Sequence, residues 1–437
     1  MTLGIELPPG TPFPAWRPVT QVLPDLGVPD VAGAVTAAIA AHDFGASIGP
    51  GTRIAVAVGS RGITALAEVV RTTIRALRAL GAEVFVVPAM GSHGGATAQG
   101  QIDVLASLGV TEETVGAPIR SSMRTVVIGS VLDGFAVNVD EIAATQADYI
   151  VPVNRVKPHT DFRGEVESGI HKMLAIGLGK QAGASSLHSY PLQEFGTIIR
   201  AAGQYVLDHL PVLFAVALVE DAHKQLAHVE AIPGALVAGR EPELLARARR
   251  LLPRIPVPAL DVLVIGRVGK DISGAGMDPN VSGRFVVPEI EAATRAERVV
   301  VLGLTEATHG NAAGIGMADI VTEALFREID LRQTYVNHMT THSLAGAKIP
   351  VIAATERDAV AFAIASMPPK PPSDLRVCLI DSTIALSAMW ATDPVIADSG
   401  GLLVPAGEPE AMRFGPDGSL LQRPGRRGAN SEERITP

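Results

Sequence analysis

Residues 53–88, RIAVAVGSRGITALAEVVRTTIRALRALGAEVFVVP, decide the fold. Arg53 to Val58 is a short unbroken apolar run, the pattern of a strand buried on both faces of a parallel sheet. Ile63 to Leu80 repeats apolar residues at helical spacing and ends at Gly81, a usual helix stop. Glu83 to Pro88 is a second apolar run. Strand, helix, strand in that order is the βαβ unit of an α/β protein.

The same rhythm extends outward. Gln99 to Leu108 reads as a helix closed by Gly109, and Thr125 to Ile128 and Tyr149 to Val153 read as further strands. A second block starts near Pro256, with strands at Leu260–Ile265, Val299–Leu302, Pro350–Ala354 and Val377–Ile380. Glu241 to Leu252 is a charged helix placed to bridge the blocks. The expectation is two α/β domains with mainly parallel sheets flanked by helices, and the active site in the cleft between them. An N-terminal domain, 1–250, would carry the chemistry. A C-terminal domain, 251–437, would carry a substrate-binding loop and, after Pro405, a loose polar tail that includes Arg423 to Arg427. The proline-rich first 30 residues read as a surface arm, and no internal repeat is visible.

Composition bounds the function. A chain of 437 residues suggests two or three domains at roughly 100–200 residues each. Hydrophobic residues at 47% and charged residues at 19% exclude a disordered chain. A net charge of -9 and 4% aromatics argue against nucleic acid as a partner. One cysteine, Cys378, permits no intrachain disulfide and no cysteine metal cluster. The longest apolar stretch, near Val212–Val219, falls far short of the ~20 residues that span a bilayer, so no membrane role is expected. Met1 to Pro14 lacks the basic-then-apolar order of a signal peptide, and the expected location is the cytoplasm.

In open α/β sheets, ligands bind beyond the carboxyl ends of the strands. Three loops there hold candidate chemistry. Gly59-Ser60-Arg61-Gly62 follows the first strand and is expected to open a helix, where backbone N–H groups and Arg61 can hold an anion. The plain alternative is a turn with a surface arginine. Gly91-Ser92-His93-Gly94-Gly95 leaves the His93 imidazole uncovered between glycines. Residues 154–189 form the third and longest, with His159, Asp161, Glu165, His171, Lys172 and His188. Lys172 lies in the apolar stretch Ile170–Leu178, where a lysine is costly unless paired or covalently modified. A snorkelling surface lysine is the plain alternative, and His171 reads only as its neighbour. In the second block, Gly266 to Gly274 presents Lys270 after a strand. His309, His338 and His342 read as structural or supporting residues without an assigned role, because the last pair lacks the intervening Glu of a zincin.

Taken in order, His93 in a Gly-Ser-His turn, His159 after Pro158, Lys172, His188 and Gly269-Lys270-Asp271-Ile272 are similar to the nickel-pincer-nucleotide lactate racemase family. The resemblance spans about residues 50–350 and is specific as an ordered set. It implies a pyridinium-3-thioamide-5-thiocarboxylic acid mononucleotide joined covalently to Lys172 through a thioamide. Nickel would be held by one carbon and two sulfurs of that group and by His188, in a square-planar set. His93 and His159 would be the catalytic acid/base pair. Arg61 and Lys270 would bind the substrate carboxylate. The Lys172–His188 spacing fits the family, whereas His159 to Lys172 is longer by about one helical turn. The residues around Arg61 lack the family's flanking Asp and Pro. These departures suggest a divergent branch and bear on the substrate more than on the chemistry.

The implied activity is a racemase or epimerase that inverts C2 of a 2-hydroxy acid, lactate-like or a sugar acid. Beside the carboxylate, that carbon acid is too weak for histidine to ionise. Moving the hydrogen as hydride to an electron-poor ring, while a base takes the hydroxyl proton, avoids the carbanion. Each enantiomer presents its hydroxyl on a different side, hence two histidines. The implied partners are a small 2-hydroxy acid and cofactor-maturation enzymes, and a homo-oligomer stays open. The residues alone leave two other readings: a zinc hydrolase using His93, His159 and His188 with Asp161 or Glu165 as base, and a non-enzymatic binder of small organic anions. A dinucleotide dehydrogenase is disfavoured, because Gly177-Leu178-Gly179 lacks the third glycine of the phosphate-binding turn.

Overall fold

The computed structural model describes residues 4–6, 10–60, 62–132, 134–340 and 343–424. Two compact units divide the chain. One is Pro24–Leu252, and the other combines Met1–Leu23 with Pro253–Pro437. It is an α/β protein with two mixed, mainly parallel sheets flanked by helices.

In the Pro24–Leu252 unit the sheet order is Glu83–Pro88, Arg53–Val58, Tyr149–Arg155, Phe214–Glu220, Leu226–Pro233. The first four strands are parallel and the last is antiparallel. Ala55 and Ala57 point into one core with Phe85 and Val87, while Ile54, Val56 and Val58 point into another with Leu66, Val70 and Ile74. Burial on both faces explains a run without polar alternation. Val58 stands opposite both Pro88 and Val153, so two strands end level, the third runs two residues further to Arg155, and all three release their loops at the same end of the sheet. A two-stranded sheet, Thr125–Val131 with Phe135–Asp140, adds a layer.

Several boundaries differ from expectation. The helix after the first strand is Leu66–Ala79 and begins after Ala65, whose φ of 57° breaks the helical path. Gly59 to Gly62 therefore do not open it. Instead Thr64 donates its N–H to Glu220 Oε1 at 3.0 Å, which holds the intervening loop to a neighbouring strand end. The charged helix is Val237–Leu251, and it does not bridge blocks. It buries Leu244, Leu245 and Ala248 in the core of the Pro24–Leu252 unit.

The second unit holds a nine-stranded sheet. Val351–Ala353, Ile320–Thr322, Arg295–Val301, Ala259–Ile265 and Val377–Ile380 run parallel in that order. Ala388–Ala391, Ala15–Gln21 and Leu403–Pro405 continue it antiparallel, and Glu410–Ala411 also pairs with Ala15–Gln21. Two expectations are corrected here. Ala15–Gln21 is not part of a surface arm but a strand of this second unit: Trp16 and Val19 are buried, and Trp16 packs 5.6 Å from Trp390. The chain after Pro405 is not loose as far as residue 424. Met412 and Leu420 are buried, and Arg423 forms a 2.6 Å ion pair with Glu356. Arg426 and Arg427 lie outside the described residues. Among the described residues no helix is long and apolar enough to cross a membrane.

Candidate active site

The three strand ends Val58, Pro88 and Arg155 send their loops off at the same end of the sheet. Gly91 donates its N–H to the Gly177 carbonyl at 3.1 Å, which ties the His93 turn to the helical segment after Lys172. A Cβ at Gly177 would lie 2.6 Å from the Ala89 carbonyl, so only glycine allows this approach. The third loop is closed at its neck, where Lys157 and Ser168 exchange backbone hydrogen bonds of 2.8 and 3.2 Å.

Two buried side chains organise it. Glu167, 1% exposed, accepts the His159 N–H at 2.5 Å, pairs with Arg249, and stands 3.6 Å from Arg163. Phe162, also 1% exposed, forms a floor. The His159 ring stacks on it at 4.2 Å, and Lys172 Nζ lies 5.6 Å from its centroid. Phe162 meets Phe195 edge-on at 5.9 Å, and Phe195 meets the His188 ring at 5.6 Å. His159, Lys172 and His188 thus share one aromatic pair. His159 Nδ1 accepts the Asp161 N–H at 3.0 Å, so the neutral ring carries its proton on Nε2.

His171 is more than a neighbour of Lys172. It is fully buried, with Nδ1 2.5 Å from Glu241 Oε2, which also accepts its backbone N–H at 2.9 Å. The pair anchors the short helix Ile170–Lys172, which runs directly into a π-helical turn, Met173–Gly177. Such turns recur at functional sites. Lys180 is 0% exposed and ion-paired to Asp140, 3.1 Å away, which closes its amine to chemistry; Lys172 is only half-buried.

His93 is exposed in its turn, and its Nδ1 is hydrogen-bonded to the Ser60 hydroxyl. Arg61 lies outside the described residues, as does His342. Lys270 belongs to the second unit, where its Nζ donates to Asn337 Oδ1 at 2.8 Å and its N–H to Thr308 Oγ1 at 3.1 Å. His338 is structural: Nε2 accepts the Gly314 N–H at 3.1 Å and Nδ1 reaches the Ser343 carbonyl at 2.7 Å. His309 sits in a left-handed turn with φ 49°.

Sequence reasoning gave no role to Ser60, Phe162, Glu167, Phe195, Lys180 or Glu241. A phenylalanine amid polar loop residues, and a lysine directly after Gly179, were the only signals. Among the described residues, no three His, Cys, Asp or Glu side chains form a metal-ligand group, which a protein-only zinc site requires.

The chain has the fold of lactate racemase. It matches the lactate racemase apoprotein from Thermoanaerobacterium thermosaccharolyticum with a TM-score of 0.51, over 85% of this chain and 99% of that one. Identity is 11%, so the likeness is one of fold. No protein-family model and no curated protein sequence matches.

Proposed function

We propose that this chain, built on a lactate racemase fold, inverts the C2 centre of a small 2-hydroxy acid with a nickel-pincer nucleotide attached to Lys172. The observation that carries the reading is the gathering of His159, Lys172 and His188 on the Phe162–Phe195 pair. The donor chemistry fits the group. It asks the protein for one amine and one metal-binding imidazole, and its other three nickel donors are its own. The amine would be Lys172, since Lys180 is sealed in the core. His188 supplies an imidazole, a good nickel ligand. When bound, the group supplies an electron-poor ring able to accept a hydride and return it.

The chain's own residues handle the proton and the carboxylate. His93 and His159 exchange the substrate hydroxyl proton, one for each enantiomer. They are not equivalent. The Ser60 hydroxyl can donate to or accept from His93 Nδ1, so His93 can present either a lone pair or a proton at Nε2. His159 with Nδ1 held by the Asp161 N–H presents Nε2–H and gives a proton; to take the hydroxyl proton at Nε2 its ring adopts the Nδ1–H tautomer, for which the Asp161 carboxylate stands 3.8 Å away. Arg61 would grip the carboxylate as a fork.

The test is to produce the chain together with cofactor-maturation enzymes, then measure intact mass, nickel content and interconversion of 2-hydroxy-acid enantiomers. The expected result is an adduct that disappears in Lys172→Ala, nickel that disappears in His188→Ala, and inversion that needs both. Full activity with an unmodified Lys172 would overturn the reading.

A further inference from the structure

Lys180 opens the helix Lys180–Leu187 with φ of 52°, in the left-handed region that residues other than glycine adopt uncommonly. Three acceptors hold its side chain. The ammonium lies 3.1 Å from Asp140 Oδ2 and 3.1 Å from Gln101 Oε1, and donates to the Pro88 carbonyl. Two of the ammonium donors are thereby placed in hydrogen bonds, and the carboxylate stands at ion-pair distance. Pro88 ends the strand that leads into the His93 turn. Gln101 is 0% exposed and donates its amide nitrogen to the Gly91 carbonyl at 2.8 Å and the His93 carbonyl at 3.4 Å. A buried amide can face either way. By claiming Oε1, the ammonium selects the orientation that turns the NH2 group onto the turn. Asp140 balances the charge and caps the helix Glu141–Gln146 through the Ala143 N–H at 2.8 Å. A buried ion pair is a poor source of stability, which makes a positional role the one to test.

We propose that Lys180 is a positioning residue for His93, acting through Gln101. The buried ammonium fixes the amide that holds the Gly91–His93 turn, and so fixes where the imidazole meets Ser60. The proposal rests on the reading of His93 as an acid–base residue.

The test uses two variants of the full chain, Lys180→Met and Gln101→Glu. The second keeps an acceptor for Lys180 while removing the donor to both turn carbonyls. Carbethoxylation by diethyl pyrocarbonate is followed at each histidine by peptide mass spectrometry, and histidine titration is followed by 15N NMR. In both variants, the modification rate of His93 changes severalfold and its titration shifts, while His42, His159 and His188 keep their wild-type values. In loaded enzyme, kcat falls on the order of tenfold to a hundredfold with KM little changed, the penalty of a displaced proton-transfer group. If Lys180→Met does not fold, Gln101→Glu alone decides. Wild-type His93 rates and titration in a folded variant overturn the proposal. A loaded wild-type chain that inverts no 2-hydroxy acid ends the functional reading instead, and the modification rates still decide whether Lys180 positions His93.

Discussion

Replacing Phe162 with leucine keeps an apolar side chain in the loop but removes the floor under the site. The ring is 1% exposed, so the lost volume leaves a partial void, costing about 1–2 kcal/mol. The stack on His159 at 4.2 Å and the edge contact with Phe195 at 5.9 Å go with it, at about 0.5–1.5 kcal/mol per aromatic pair. The Lys172 ammonium loses a ring face worth about 0.5–1 kcal/mol. These contributions overlap, and about 2–4 kcal/mol is expected in total. For a unit of this size that is roughly 5–10 °C in melting temperature. The functional effect should exceed the stability effect, because His159 and Lys172 lose a shared surface. Differential scanning calorimetry gives the first number, and the fraction of chains modified at Lys172 gives the second. A Phe162→Leu chain that melts within about 1 °C of wild type and modifies Lys172 in full would refute the argument.

Other outcomes follow from the buried groups. Burial pushes the Asp140 carboxyl up from its ordinary 3.8 and the Lys180 ammonium down from 10.5, each opposed by its partner's charge. The Asp140 contribution to stability is complete below 3.8 and lost as pH rises through its raised value; that of Lys180 is complete above 10.5 and lost as pH falls through its lowered value. At neutral pH the pair is therefore carried at a cost. Lys180→Met alone should destabilise by about 3–5 kcal/mol in urea titrations, and adding Asp140→Asn, which keeps the helix cap, should return most of it. A double variant as unstable as the single one would contradict this. Burial pushes the Cys378 thiol up to about 12, so Ellman's reagent should find no thiolate until the chain unfolds; a fast native reaction would show that the strand is not sealed. Ser60→Ala should shift His93 titration in 15N NMR and leave His159 unchanged, and equal shifts in both would show that the hydroxyl does not act locally.

Strands buried on both faces were legible because burial leaves them no polar residues. Arg53–Val58, Glu83–Pro88 and Val377–Ile380 coincide with their sequence boundaries. Tyr149–Arg155 runs two residues past its apolar part, since Asn154 binds the Gly169 carbonyl at 2.7 Å and Arg155 pairs with Glu220. Arg295–Val301 hid behind Arg295, Glu297 and Arg298. Ala15–Gln21 was invisible because its partners lie more than 360 residues away and Pro18 argues against a strand. Of the candidate residues, His159 stands out in the loop after a strand, whereas Lys172 ends a helix, His188 follows one, and both are singled out by residue type and by the family resemblance. Phe162, Glu167 and Lys180 are not, because what marks them is burial, and burial is set by distant chain.

The insertion of one unit into the other has a consequence for synthesis. Ala15–Gln21 leaves the ribosome early, yet its neighbours in the sheet are Ala388–Ala391 and Leu403–Pro405. At roughly 5–20 residues per second, that segment waits about 20–80 s with both edges open while Pro24–Leu252 is translated and can close on itself. Nascent chains of this protein should therefore be sticky at Ala15–Gln21 until Leu403–Pro405 has been translated, and holding chaperones should meet that segment in the interval.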